Sequence, residues 1–132
     1  MTARTCEERV EQNLVGRLED LRKLWTLYLQ DQEASDDEVG NLDEWGLCFD
    51  YVPGESGLEG FFRYQLSTGG PGDEFRFFAD AGGQVHRVEY WFLDWFDGAH
   101  RVLADQDRAL LLEIWEGYLE PSADEAIRNS RG

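Results

Sequence analysis

GFFRYQLSTGGPGDEFRFFADAGGQVHRVEYWFL, residues 60–93, is the stretch whose periodicity decides the fold. Over residues 60–68, Phe62, Tyr64 and Leu66 alternate with Phe61, Arg63 and Gln65, the two-residue period of a strand. Gly69-Gly70-Pro71-Gly72 reads as a loop. Residues 74–79 set Phe75 and Phe77 against Glu74 and Arg76, and Asp80-Ala81-Gly82-Gly83 reads as a hairpin connection. Residues 84–93 form a third strand, with Val85, Trp91 and Leu93 on one side and Val88, Tyr90 and Phe92 on the other. Three consecutive strands with short connections predict an antiparallel meander. Apolar residues on both faces predict that each face is partly covered.

Working outward, Thr5-Cys6-Glu7-Glu8 matches a capping box. Behind it Val10, Leu14, Leu18, Leu21, Trp25 and Tyr28 recur at helical spacing and predict a helix over residues 6–31. Glu19 and Lys23 stand at i,i+4 in the supporting order, while Gly16 costs about 1 kcal/mol relative to Ala. Leu24, Leu27 and Leu29 widen the apolar stripe, which predicts burial on a second side, against another copy of the chain. Residues 32–59 form an acidic segment, in which Ser35 caps a helical turn over 36–39 ending at Gly40. Within it, residues 45–52 are a short buried or edge piece with Cys48 as a small buried hydrophobe, and Pro53 to Gly57 is a turn. Past the strands, Asp94 to Gly98 leaves the sheet, closing the block at residue 97. A helix within 103–120 follows, carried by Leu110, Leu111, Ile114, Trp115, Tyr118 and Leu119 and stopped by Pro121. Ser122 to Glu125 is a second capping-box pattern in the tail, residues 121–132. The expectation is one α+β domain: a long N-terminal helix, a three-stranded antiparallel sheet and a C-terminal helix packed on it.

Twelve Lys and Arg stand against 28 Asp and Glu, a formal net charge of −16 in 132 residues. Eighteen aromatic residues argue for a packed core and against a disordered acidic chain. The charge excludes direct nucleic-acid binding, which needs cations to displace phosphate counterions, and disfavours an anionic membrane. No apolar run reaches membrane-spanning length, and the N-terminus turns acidic without a signal-like stretch, so the expected location is the cytoplasm. Cys6 and Cys48, 42 residues apart without a CxxC pattern, read as free thiols.

The charge is unevenly spread. Residues 1–23 carry five acids and five bases, whereas residues 24–62 carry ten acids and no Lys or Arg. Those ten are Asp31, Glu33, Asp36, Asp37, Glu38, Asp43, Glu44, Asp50, Glu55 and Glu59. Surface solvation or salt adaptation accounts for acidity in general, but it predicts dispersed charge. Clustered carboxylates imitate nucleic-acid phosphates, which in duplex DNA supply one charge per about 1.7 Å of axis. Such a surface would be steered electrostatically into a basic cleft. Trp45, Leu47 and Phe49 among the acids would add apolar contact. The partner-binding candidates are therefore the ten acids, with Asp94 and Asp97 in addition, and the expected partner is a basic nucleic-acid-binding protein. The alternative is an acidic regulatory module that dimerises through helix 6–31 and binds a basic protein without mimicry.

Chemistry has weaker support. Asp94, Asp97 and His100, with Glu89 upstream, could serve a small hydrolase or a metal, though their spacing matches no motif. The GGPG loop lacks the GK[ST] ending of a phosphate cradle, and Asp73 and Glu74 would repel the phosphate. Asp36, Asp37 and Glu38 do not follow the calcium-loop pattern. No catalytic residue, metal or cofactor is expected.

Residues 60–80, GFFRYQLSTGGPGDEFRFFAD, followed by VEYWFLDWFDGA at 88–99, resemble small acidic proteins carried on plasmids, integrative elements and phages. The resemblance covers about a third of the chain. It implies an antirestriction or anti-CRISPR factor of the DNA-mimic type, with a restriction or CRISPR–Cas complex of the host cell as partner and no catalytic residues to carry over.

Overall fold

Thr5 starts the first helix as its spacing requires. In the computed structural model, which describes residues 5–69 and 71–131, its hydroxyl accepts the Glu8 N–H at 3.3 Å, and the Glu8 carboxylate returns to the Thr5 N–H. The N-terminal residues Met1–Arg4, Gly70 of the GGPG loop and Gly132 lie outside the described residues. Helix α1, Cys6–Gln30, buries Cys6, Val10, Leu14, Leu18, Leu21, Leu24 and Trp25. This stripe lies inside the chain's own core rather than against another copy, and Leu29 is exposed. Each fully buried leucine contributes about 1.5–3 kcal/mol relative to an exposed one. Lys23 pairs with Asp36 at 3.7 Å; no salt bridge forms with Glu19 among the described residues.

The sheet has five strands, not three. β1 (Cys48–Val52), β2 (Phe61–Ser67), β3 (Gly72–Ala79), β4 (Val85–Asp94) and β5 (Asp97–Val102) pair antiparallel in chain order. The three central strands lie where the alternation places them, and the edges β1 and β5 correct the expectation. β1 is five residues long between Gly46 and Pro53, and its exposed Cys48 faces away from the core. β5, DGAHRV, buries Ala99 alone, so it lacks an apolar alternation to read. Asp94 to Gly98 does not leave the sheet: Asp94 pairs with Asp97 across a two-residue turn. Trp95 sits in that turn at φ +57, a conformation ordinarily given to glycine, so the usual hairpin signal is missing. A bulge between Phe78 and Ala79 sets Val85 opposite Ala79. Val85 therefore joins Val88 in the core instead of sharing a face with Trp91.

Helices cover one face, where Phe62 and Phe77 pack against Trp115 at centroid distances of 5.0 and 5.2 Å. On the opposite face arginines do the covering. Arg76 lies 4.5 Å from the Phe61 ring and 3.9 Å from the Trp91 ring, and Arg87 lies 3.9 Å from Phe78.

The C-terminal helix also departs from expectation. α3 spans Asp105–Ile114 and passes into a π-helical turn, Trp115–Leu119, then a 3-10 turn, Glu120–Ser122, that contains Pro121. A side chain at Gly117 would stand 2.9 Å from the Trp25 ring, so the widened turn and its glycine admit that indole. α4, Ala123–Ser130, follows, and Ser122 makes no side-chain cap. In the acidic segment, residues 36–40 close a bridge instead of a helical turn, and the short helix α2 is Leu42–Trp45.

Candidate acidic interface

Seven of the ten clustered acids fall in the connection between α1 and β1: Asp31, Glu33, Asp36, Asp37, Glu38, Asp43 and Glu44. Local hydrogen bonds fold this connection. Asp31 Oδ1 accepts the Glu33 N–H at 3.0 Å. Asp36 Oδ1 accepts the N–H groups of Glu38 and Val39 at 2.9 and 3.1 Å. Asp36 and Gly40 exchange backbone bonds at 2.8 and 2.9 Å, with Gly40 at φ +90 closing the loop. Asn41 Oδ1 caps α2 through the Glu44 N–H at 3.0 Å. The backbone N–H of Glu38, followed by that of Val39, holds the Asp36 carboxyl below its ordinary range.

Three of the seven therefore shape the loop or pack it. Asp31 and Asp36 accept backbone bonds, and Asp43 accepts the Tyr118 hydroxyl at 2.7 Å. Glu33, Asp37, Glu38 and Glu44 are exposed, and among the described residues no cation lies within 4 Å of them. These four are the free charges of the segment.

The other five candidates lie elsewhere. Asp50 projects from β1 onto the uncovered sheet face, where Arg63 grips it at 2.6 and 3.0 Å. Glu55 bridges to Leu58 in the β1–β2 connection. Glu59 meets His86 at 2.7 Å and Arg87 at 3.4 Å. Asp94 and Asp97 sit at the β4–β5 turn beside the start of α1, a helix about 37 Å long whose far end carries the acidic loop. Asp94 binds Arg9 at 2.8 Å, and Asp97 accepts the Cys6 N–H at 2.8 Å. The Cys6 N–H in particular keeps the Asp97 carboxyl below its usual range.

A hydrolytic centre does not assemble from Asp94, Asp97 and His100. The two aspartates turn toward α1, whereas His100 lies on the opposite face, stacked on Trp91 at 4.4 Å. Glu89 is held by Arg87 and the Trp91 indole, both at 2.9 Å. No metal-binding group of three or more His, Cys, Asp or Glu forms among the described residues. No helix there is long and apolar enough to cross a membrane.

Sequence reasoning missed Tyr118 and Lys23 as neighbours of the acidic loop. Tyr118 is 75 residues from Asp43, and its own signal was helical periodicity in a core stripe. No family model matches the chain, and no curated protein or solved structure matches it.

Proposed function

We propose that the chain is a non-catalytic inhibitor of a host defence complex, of the antirestriction or anti-CRISPR type, that lays the carboxylates of residues 31–44 into a basic nucleic-acid-binding cleft. One observation carries this reading: Glu33, Asp37, Glu38 and Glu44 stand exposed, without a cation partner among the described residues, on a loop fixed by its own hydrogen bonds. A pre-folded loop loses little entropy on docking, and its unneutralised charge remains available to a cationic partner. Two unit charges 10 Å apart in water repel by only about 0.4 kcal/mol, so the scaffold tolerates the cluster.

The test is inhibition of DNA cleavage by a panel of restriction nucleases and CRISPR effectors, titrated at low and high salt. Inhibition should weaken steeply with salt, and D37K/E38K/E44K should abolish it with the fold unchanged. A triple variant as potent as the parent, or inhibition insensitive to salt, would sink the reading.

A second reading, an acidic interaction module that binds a basic protein without imitating nucleic acid, draws on the β4–β5 turn. Trp95 is 88 % exposed and Phe96 104 %, a pair of apolar rings that phosphate mimicry does not use. On that reading W95A/F96A weakens partner binding. On the first it leaves inhibition intact.

A further inference from the structure

Strand β5 ends the sheet with an open edge. The Leu103 N–H donates to the Val88 carbonyl at 2.9 Å, and the register sets Arg101 opposite Tyr90, Ala99 opposite Phe92 and Asp97 opposite Asp94. Along an antiparallel pair, opposite residues alternate between bonding each other and facing outward. Arg101, Ala99 and Asp97 therefore bond into β4, and the backbone groups of Gly98, His100 and Val102 point away from the sheet. Among the described residues no backbone group of another segment meets them. Side chains engage two of these groups: Asp97 Oδ1 accepts the Gly98 N–H, and Arg101 Nη1 donates to the His100 carbonyl, both at 2.9 Å. That carbonyl keeps a second lone pair. Apolar surface is arranged about the same edge. Trp95 and Phe96 project from the turn before it, and Val102 is exposed near its end. Trp95 holds a left-handed conformation that glycine adopts at less cost, yet its ring is 88 % exposed, so the protomer's own core gains nothing from it. Beside Val102 lies a cleft of about 500 Å³ whose apolar wall is Leu14, Val102, Leu103 and Ala104. Phe96 and Ala104 each stand four residues from His100, about 13 Å along a strand in opposite directions. Knob and hollow are placed symmetrically about His100.

We propose that two copies of this chain pair antiparallel through β5 about a two-fold axis at His100, so that the Trp95–Phe96 turn of each copy fills the cleft beside Val102 of the other. In that register His100 meets His100 of the second copy and Gly98 meets its Val102, each through outward-facing backbone groups. The same patch serves both copies, as a closed two-fold contact requires. Side chains agree with the register. His100 stacks on Trp91 at 4.4 Å, close to the strand spacing of about 4.7–4.9 Å, so the two imidazoles continue that stack across the axis. Arg101 stands diagonal to Asp97 of the second copy, a separation of about 7–8 Å that an arginine spans. A net charge of −16 on each copy opposes association, and salt screens that repulsion, so the dimer tightens as salt rises. Docking of the acidic loop into a basic cleft has the opposite salt dependence. The pairing needs none of Glu33, Asp37, Glu38 or Glu44, whose loop lies at the other end of α1. It gives the Trp95–Phe96 turn to a second copy rather than to a basic protein, and it is tested with no other protein present.

Sedimentation equilibrium of the full chain between about 5 and 500 µM tests it. The mean mass should rise from one protomer toward two, and more steeply in about 300 mM NaCl than in about 50 mM. W95A/F96A should weaken association by about tenfold or more. V102P, a proline at an edge position whose N–H faces outward, should weaken it by about the same factor. Both variants should keep the parent's far-UV circular dichroism at about 5 µM, which separates lost pairing from lost fold. Amide NMR on dilution should move Gly98, His100, Val102 and the Trp95 indole, and leave Phe49 and Tyr51 on the other sheet edge unmoved. R101A should loosen the dimer by about threefold, as loss of an exposed ion pair does; a tighter dimer would instead make Arg101 a guard against strand pairing. The mass of one protomer up to about 500 µM, association that weakens with salt, NMR changes on β1 instead of β5, a tighter R101A dimer, or W95A/F96A associating like the parent would overturn the proposal.

Discussion

Two acid-rich regions of this molecule use carboxylates in opposite ways. On the uncovered sheet face Asp50, Glu74 and Glu89 each meet an arginine within 3 Å. Glu74 and Glu89 are buried there beneath a layer of stacked guanidinium and aromatic groups. In the loop of residues 31–44, seven carboxylates share one cation among the described residues, Lys23, at 3.7 Å. The first arrangement closes a face that no helix covers; the second leaves charge unspent at the surface. The face holds three of these acids and the loop seven, and the pairing of each carboxylate separates those closed into the fold from those left free at the surface.

The sharpest way to break that comparison is to remove a cation or acid from a paired site. Asp73 is 4 % exposed and accepts Arg17 at 2.7 and 2.9 Å, Tyr90 at 2.6 Å and Ser67 at 2.5 Å. D73A should cost about 3–5 kcal/mol in urea unfolding, because it strands a partly buried arginine and two hydroxyls. R76A, which uncovers Phe61 and Trp91 and leaves buried Glu74 unpaired, should cost about 2–4 kcal/mol by the same measurement. A loss below about 0.5 kcal/mol in both would mean that the paired acids are as dispensable as the loop acids.

Smaller effects sharpen the contrast. W95G places glycine at the φ +57 turn position and removes an exposed ring, so it should leave stability unchanged or raise it by up to about 1 kcal/mol. D37K/E38K/E44K should change unfolding stability by less than about 0.5 kcal/mol, since among the described residues none of the three side chains has a cation partner to lose. Asp36 and Asp97 have pKa values lowered by backbone N–H donors, so their stabilisation is complete above the ordinary carboxylate range, about pH 4, and is lost as pH falls through their lower folded values. D97N should therefore flatten the acid limb of the stability–pH curve. Thiol titration completes the series. Burial, reinforced by Asp97, pushes the Cys6 thiol up, so Cys48 should react with a disulfide reagent first and Cys6 only on unfolding.

Much of the architecture was legible in the residues. The α1 boundaries followed from the Thr5–Glu8 capping box and a stripe that repeats every three or four residues. The three central strands followed from alternation that one covered face enforces. β5 was illegible because an edge strand needs no apolar period, and its turn is held open by a tryptophan where glycine is customary. β1 was illegible because five residues between Gly46 and Pro53 give too short a period to read. The π turn at Trp115–Leu119 follows from the approach of Trp25, a contact made across the core.

The acidic segment divides in the same manner. Composition by itself determined that ten acids lie in residues 24–62 without one Lys or Arg, and local chemistry determined the Asx-type turns of Asp31 and Asp36. Tertiary structure decided which of those charges stay free. It carried Asp50 to Arg63, Glu59 to His86 and Arg87, and Asp43 to Tyr118, leaving Glu33, Asp37, Glu38 and Glu44 exposed. The physical reason is distance along the chain: hydrogen bonds spanning two to four residues are written in neighbouring side chains, whereas an ion pair between segments exists only once the sheet has brought them together.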